Sequence, residues 1–123
     1  MSLVNTPSNK SAVRLQRFNN LKFEPRFEYG HMAESSEICG SKDGSELGAG
    51  FVRLHNAHIP WTIQYDEIVT VHEGSLRFHI DGNIFELFER DSIWLPAGTE
   101  LVYETEHALV GYAIHPSDWQ QRK

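Results

Sequence analysis

Glu67 lies within a strand-like segment of the sequence, and it is the first candidate for chemistry. Six residues separate Glu67 from Gly74. Because side chains alternate along a strand, Tyr65 and Val69 lie on the same side as Glu67. A carboxylate that faces a low-dielectric cavity has a raised pKa, which suits proton transfer. Glu67 is therefore the predicted catalytic residue. The alternative, that Glu67 only accepts a buried hydrogen bond and stabilises the fold, stays open.

The histidines raise the question of a metal site, since the chain contains seven of them. A transition-metal site needs about three protein ligands in a fixed geometry. His79 alternates with the apolar Phe78 and Ile80, so it is predicted to face outward, and His72 has the opposite strand parity to Glu67. These two histidines are therefore not expected to join Glu67 in a metal site. An unconventional site built from Glu67 and scattered histidines is the alternative.

The elements that must position these side chains are short strands separated by turn residues. Residues 22–29 contain Pro25 and are predicted to form an edge strand. Further strands are predicted at residues 50–54, 63–71, 76–80, 84–88, 92–95, 101–103 and 109–114. Asp81 and Gly82 join two such runs, and both tolerate the positive φ of a two-residue hairpin turn. Many short strands without a helical period predict an all-β sandwich or barrel.

Two motifs within these strands resemble the two halves of the cupin signature. The first runs from Glu67 to Gly74, and the second from Asp91 to Pro96-Ala97-Gly98. The resemblance implies a single cupin, a small β-barrel or jelly roll. It also implies where metal ligands would stand: two histidines shortly before the glutamate and one after the Pro-x-Gly turn. Those positions here hold, depending on register, Trp61 with Ile63 or Pro60 with Thr62, and then Leu101. The chain thus resembles a cupin without the usual histidine triad, and a lone carboxylate cannot hold a transition metal. The resemblance therefore leads us to predict no metal and no cofactor.

A barrel of this size encloses one small cavity, and strand parity predicts its lining. Tyr65 shares the side of Glu67, and Tyr103 shares the side of Leu101. A mostly apolar pocket with one carboxylate and one or two phenols suits a small organic ligand that carries a hydroxyl or amine. The predicted ligand-binding residues are Tyr65, Trp61, Trp94, Leu101 and Tyr103, the two tryptophans at the mouth. Core packing is the alternative for the aromatic members.

Length and composition restrict the class of protein. A chain of 123 residues suits one domain, and its net charge of −6 with scattered basic residues argues against nucleic-acid binding. No apolar stretch approaches the ~20 residues of a membrane span, and the N-terminus lacks the pattern of a signal peptide. The single Cys39 cannot form an internal disulfide. We expect a cytoplasmic protein with a cupin domain over residues 18–123. Residues 1–17 are expected to form a flexible or edge-pairing arm.

The resemblance extends to one family within the cupins. The motifs Pro60-Trp61-Thr62 and Tyr65-Asp66-Glu67-Ile68, with Pro116 and Trp119 near the end, are similar to the C-terminal domain of the ethanolamine-utilisation protein Q family. The resemblance covers about residues 35–119. It implies a homodimer and a link to ethanolamine metabolism, where an acetate kinase activity is attributed to the family. The sequence itself contains no Gly-x-x-x-x-Gly-Lys-Ser/Thr phosphate loop.

Three functions stay open at this point. The first is a small-molecule-binding cupin, and the second is an enzyme whose metal site uses Glu67 and unconventional histidines. The third is an assembly module that acts through a surface for a partner protein, with the barrel serving only as its core. A homodimer is expected in each case, because an uncovered edge strand attracts other chains. The side chains expected to cover the partner's sheet are Phe18, Leu21, Phe23 and Phe27.

Overall fold

The fold is built almost entirely from antiparallel strands, as a computed structural model covering residues 13–122 describes it. The eight strands are β1 (Glu24–Pro25), β2 (Ala33–Cys39), β3 (Gly48–Thr62), β4 (Asp66–Gly74), β5 (Leu76–Ile80), β6 (Asn83–Leu87), β7 (Ser92–Leu95) and β8 (Glu100–His115). Four single turns of 3-10 helix complete the described chain, at Phe18–Asn20, Phe27–Tyr29, Ser41–Asp43 and Trp119–Gln121. The prediction of an all-β fold is confirmed. Within these residues no helix has the length and apolar character needed to cross a membrane.

Two long strands connect the whole barrel. β3 and β8 pair from Gly48 opposite Ile114 to Thr62 opposite Glu100. The second half of β8 also pairs with β4, whereas its first half pairs with β5. Neighbouring strands therefore pair in the order β1-β2-β3-β8-β4-β7. In addition, β5 pairs with the first half of β8, and β6 pairs with β5. Because the two halves of β8 have different neighbours, the sheet folds over itself and encloses a core.

The core follows from strand alternation. On β4, Glu67, Val69 and Val71 are buried and the residues between them are largely exposed. On β5, Leu76 and Phe78 are fully buried in the same way. Period-two burial of this kind is what an antiparallel sheet with one solvated face produces. The inward parity predicted for Glu67 therefore agrees with its observed burial.

The predicted turns position the ends of β4. Gly74 has φ +79°, and a Cβ there would collide with the carbonyl oxygen of His107. At the other end, the backbone N–H of Gly98 donates to the Ile63 carbonyl at 2.8 Å, and the N–H of Ala97 donates to Asp66 Oδ1 at 2.9 Å. Asp66 thus fixes the Pro-x-Gly turn beside Glu67. These contacts join the start of β4 to the Pro-x-Gly turn, although the two segments are far apart in sequence.

Several strand boundaries differ from the sequence prediction. Residues 22–29 form only the two-residue β1, because Pro25 lacks an N–H and the next residues turn into a 3-10 helix. The strand at Ala33–Cys39 was not predicted, since its serines and glutamates hide the alternation. The runs at 101–103 and 109–114 are parts of the single strand β8. The hairpin at Asp81 and Gly82 is confirmed, with φ values of 51° and 78°.

The described part of the N-terminal arm lies against the barrel. Residues 1–12 are outside the described residues, so the expectation for them stays a prediction. Arg14 forms an ion pair with Asp43 at 2.8 Å and also donates to the Ile38 carbonyl at 2.6 Å. The Phe18 ring packs edge-on against Phe51 of the same chain, with ring centroids 5.3 Å apart. Arg14 and Phe18 thus contact the barrel, while residues 13–20 form no strand.

Candidate functional site

A cavity of about 210 Å³ lies inside the barrel. This is smaller than the roughly 300–1,000 Å³ of pockets for drug-sized ligands. Aliphatic residues form much of its wall, and most of the other lining residues are aromatic or charged. The aromatic and charged lining residues are Arg26, Phe27, Tyr29, Glu37, Trp61, Tyr65, Glu67, Tyr103, Tyr112 and Trp119. The cavity therefore suits a molecule of few heavy atoms.

Glu67 is the buried acidic group of this cavity. It lies in the middle of the sheet, with Leu95 of β7 on one side and Ile114 of β8 on the other. Its side chain is 7% exposed. Within residues 13–122, Glu67 Oε1 is the buried side-chain oxygen or nitrogen atom that has no hydrogen-bond partner. An unsatisfied buried acceptor costs about 1–3 kcal/mol, and more for a charged group, so this arrangement needs an explanation.

Burial determines the protonation chemistry of the cavity. It raises the pKa of Glu67 to about 7, although the Arg26 guanidinium and the Tyr103 hydroxyl act in the opposite direction. Burial, with the nearby Glu67 charge, also raises the pKa of Tyr65 to about 12 and that of Tyr103 well above 10. Near neutral pH, Glu67 can therefore hold or release a proton, whereas both phenols remain neutral donors.

Aromatic rings form one end of the cavity. The Trp61 ring stacks on Phe27, with centroids 6.0 Å apart and planes inclined by 14°. Trp119, from the last 3-10 turn, meets Trp61 edge-on at 6.4 Å and Tyr65 at 5.1 Å. Segments far apart in sequence therefore supply this aromatic end. Tyr103 packs against the fully buried Phe78, with ring centroids 5.1 Å apart.

Sequence reasoning did not identify all of the lining. Arg26 precedes the 3-10 helix at Phe27, and its guanidinium lies 5.0 Å from the Phe27 ring centroid. Nothing in the local pattern indicated that this arginine faces the barrel. Tyr112 is not among the predicted ligand-binding residues, yet its place on β8 opposite Val69 puts it on the cavity wall. Trp119 also lines the cavity, and the family resemblance at Pro116 and Trp119 was the one feature of the sequence that drew attention to it.

Two of the predicted ligand-binding residues do not line this cavity. Trp94 is 65% exposed, and it pairs with the exposed Ile68 on the outer face of β4 and β7. Strand alternation explains its position, because the neighbouring Leu95 takes the buried side. Leu101 is buried in the core, and on β8 it lies opposite Trp61 of β3. It borders a separate, shallow groove instead of this cavity. The structure thus brings Tyr65, Glu67, Trp61 and Tyr103 together, without Trp94 and Leu101.

The residues of the cavity do not fit the metal centre that the cupin fold implies. Its described lining contains no imidazole and no thiolate, and its carboxylates are Glu67 and Glu37. A transition-metal centre needs about three nitrogen, sulfur or oxygen ligands. In the described part of the chain, no group of three or more histidine, cysteine, aspartate or glutamate residues is placed to hold a metal ion. We derive no chemical step through a metal.

Curated proteins of similar sequence align with most of this chain. The chain is 32% identical over 111 residues to proteins named acetate kinase EutQ from Salmonella typhimurium and from Escherichia coli. The aligned segment covers 89% of this chain but 45% of each relative. The chain therefore spans less than half the length of these relatives.

Solved structures support the same fold. A crystal structure of a putative ethanolamine utilization protein Q from Salmonella typhimurium has a TM-score of 0.80 and 26% identity, covering 93% of this chain and 92% of that one. The EutQ protein of Clostridium difficile has a TM-score of 0.67 and 26% identity, covering 71% and 70%. A cupin domain of a transcriptional regulator from Enterobacter cloacae, at 15% identity and a TM-score of 0.60, shares the fold alone.

The family profile described as ethanolamine utilisation protein EutQ matches residues 4–121, almost the whole chain. The resemblance inferred from the Pro-Trp-Thr and Tyr-Asp-Glu-Ile motifs is thereby confirmed. The chain belongs to the EutQ family of ethanolamine utilisation proteins, and its barrel is a cupin.

Proposed function

We propose that this protein binds a small organic molecule inside its barrel, with Glu67 as the polar group that recognises it. The unpartnered Oε1 of the buried Glu67 carries this proposal. A buried acceptor facing a cavity of about 210 Å³ is a place where a ligand supplies the missing hydrogen bond. The aromatic side chains Trp61, Tyr65 and Tyr103 supply apolar contact around it.

A thermal-shift screen of small amines, alcohols and carboxylic acids tests this function. A ligand that binds the folded state raises the unfolding temperature, because it stabilises the native state by mass action. We expect Trp61→Ala to weaken this response and Trp94→Ala to retain it, since Trp61 lines the cavity and Trp94 lies outside it. The absence of any stabilising compound, or an equal response in both variants, would contradict the proposal.

The metabolic role proposed for this domain is in ethanolamine and acetate metabolism. The family membership and the name acetate kinase EutQ, given to two relatives, support it. Whether the chain transfers phosphoryl groups by itself is tested by incubating it with ATP and acetate. The cytoplasm is the proposed compartment, because the single Cys39 indicates no dependence on disulfides.

A second prediction separates this function from that of a metal enzyme. Protein purified without an affinity tag is expected to contain far less than one transition-metal ion per chain. The physical reason is that Glu67 and Glu37 alone are too few ligands. Elemental analysis measures the content, and incubation with a chelator is expected to leave the unfolding temperature unchanged. One tightly held ion per chain that is lost in Glu67→Gln would overturn this assignment.

A third prediction concerns assembly, which we propose to be homodimeric. Ile68 and Trp94 expose an apolar pair on the outer sheet face, and the partly exposed Phe18 ring packs against both Phe23 and Phe51. Exposed apolar patches of this kind are typical of interaction surfaces. Light scattering at tens of micromolar is expected to report a dimer, and deletion of residues 1–27 to weaken it. A monomer contradicts the dimer, and an unweakened dimer after deletion contradicts the role of the N-terminal region.

A further inference from the structure

Two groups of opposite charge face the same cavity without pairing with each other. Glu67 lies on the wall and Arg26 lies on the segment that follows β1. Among residues 13–122, Arg26 forms no ion pair with any carboxylate, and Glu67 Oε1 accepts no hydrogen bond. The Arg26 guanidinium instead lies over the Phe27 ring. Both charges are therefore left for something that enters the cavity.

The other charged group of the lining is already occupied. Glu37 has an ion pair with Lys42, with 3.4 Å between Oε1 and Nζ. The phenols of Tyr65, Tyr103 and Tyr112 are neutral donors and contribute no charge near neutral pH. The recognition chemistry thus depends on one buried acceptor and one cation.

We propose that the ligand of this cavity is a short zwitterion, whose ammonium group binds Glu67 Oε1 and whose anionic group binds Arg26. This inference rests on the small-molecule function proposed above and specifies the class of ligand. A simple amine would be repelled by Arg26, and a simple anion would be repelled by ionised Glu67. A molecule with both charges satisfies both groups, and the rings of Trp61 and Tyr65 favour an ammonium beside them.

The anionic end has two chemical forms with the same recognition. A guanidinium binds a carboxylate or a phosphate-like group through two parallel hydrogen bonds. The cavity of about 210 Å³ limits the chain between the two charges to a few methylene groups. The expected class is therefore a short amino acid with a terminal amine, or its phosphonate counterpart.

Calorimetric titration with matched probes tests this class of ligand. The probes are glycine, 3-aminopropanoate, 4-aminobutanoate and 5-aminopentanoate, with propylamine, propionate and 1-propanol as single-function controls and 2-aminoethylphosphonate for the second anionic form. We expect one member of the zwitterion series to bind at least tenfold more tightly than propylamine or propionate. Equal binding of propylamine, propionate or 1-propanol would overturn the inference.

Variants assign each charge to its end of the ligand. Glu67→Gln is expected to reduce the affinity for the best zwitterion to about that for propionate, and Arg26→Gln to about that for propylamine. Arg26→Lys keeps the charge and is expected to restore part of the preference. Matched controls are Glu73→Gln, an exposed carboxylate on the same strand, and Arg53→Gln, a guanidinium stacked on Phe23 away from the cavity. Unchanged affinity in Glu67→Gln and Arg26→Gln would contradict the proposal.

The outcomes separate this inference from the proposed function. If a neutral or singly charged compound stabilises the protein and requires Trp61, the barrel binds small molecules but the zwitterion assignment is wrong. If no compound of any class binds, both are wrong. Circular dichroism of each variant establishes that a lost affinity is not a lost fold.

Discussion

Glu67→Gln is expected to remain folded and to lose half or more of the stabilisation that a cavity ligand gives to the wild-type protein. Glutamine has the size of glutamate, so the packing between Leu95 and Ile114 is retained. The substitution removes the negative charge and replaces one acceptor oxygen with an amide donor. A ligand at 100 times its Kd stabilises the wild type by about 2.7 kcal/mol, and a tenfold or greater loss of affinity in the variant lowers that gain to about 1.4 kcal/mol or less.

Chemical denaturation with and without the ligand identified by screening measures this effect. Glu73→Gln serves as the control, because Glu73 is exposed near the end of the same strand and does not line the cavity. The control is expected to keep the full ligand-induced gain. A Glu67→Gln protein that is stabilised by the ligand as much as wild type would show that Glu67 serves only the fold.

Without ligand, the stability of the wild-type protein is expected to fall as the pH rises from about 4.5 to about 7. Burial raises the pKa of Glu67 from 4.5 to about 7, so the folded state binds the proton more tightly than the unfolded state. The stabilising contribution is therefore complete below the unfolded pKa and is lost as the pH passes the folded pKa. At about 1.4 kcal/mol for each pKa unit, the loss is roughly 3 kcal/mol.

Comparison with Glu67→Gln isolates this contribution from those of the other carboxylates. The difference in unfolding free energy between wild type and variant, from urea titrations at fixed protein concentration, is expected to change by roughly 3 kcal/mol across this pH window. The ligand-free variant is therefore expected to gain stability relative to the wild type as the pH rises to 8. Parallel pH profiles for the two proteins would show that Glu67 ionises in the folded state as it does in the unfolded state.

Both predictions follow from the same group, because Glu67 has opposite effects on stability in the empty cavity and in the ligand-bound cavity. Ionised Glu67 costs stability in the empty cavity, because a buried charge without a full set of partners is poorly solvated. A ligand that supplies the missing donor removes part of that cost. Functional sites often contain groups that lower the stability of the folded protein, and Glu67 has this property.

Much of the fold could be predicted from local sequence. Alternation placed Glu67, Tyr65 and Val69 on one face, because the period of two leaves little choice once one side is apolar. The Asp-Gly hairpin followed from the positive φ values that these residues tolerate. The resemblance of the Glu67-to-Gly74 and Asp91-to-Gly98 segments to the cupin signature indicated the barrel, and the contact of Asp66 with the Ala97 N–H holds these two segments together. In β2, by contrast, polar residues concealed the strand.

The composition of the cavity was decided by tertiary structure. Arg26, Trp119 and Glu67 come from opposite ends and the middle of the chain, and no local pattern fixes which of them share a space. Trp94 and Trp61 are similar as sequence features, yet strand pairing leaves one exposed on the outer sheet and places the other against Phe27 and Trp119. Local alternation determines which side of its own strand a residue occupies. Only the way the strands close into a barrel determines what lies across from it, because those contacts depend on distant segments meeting in space.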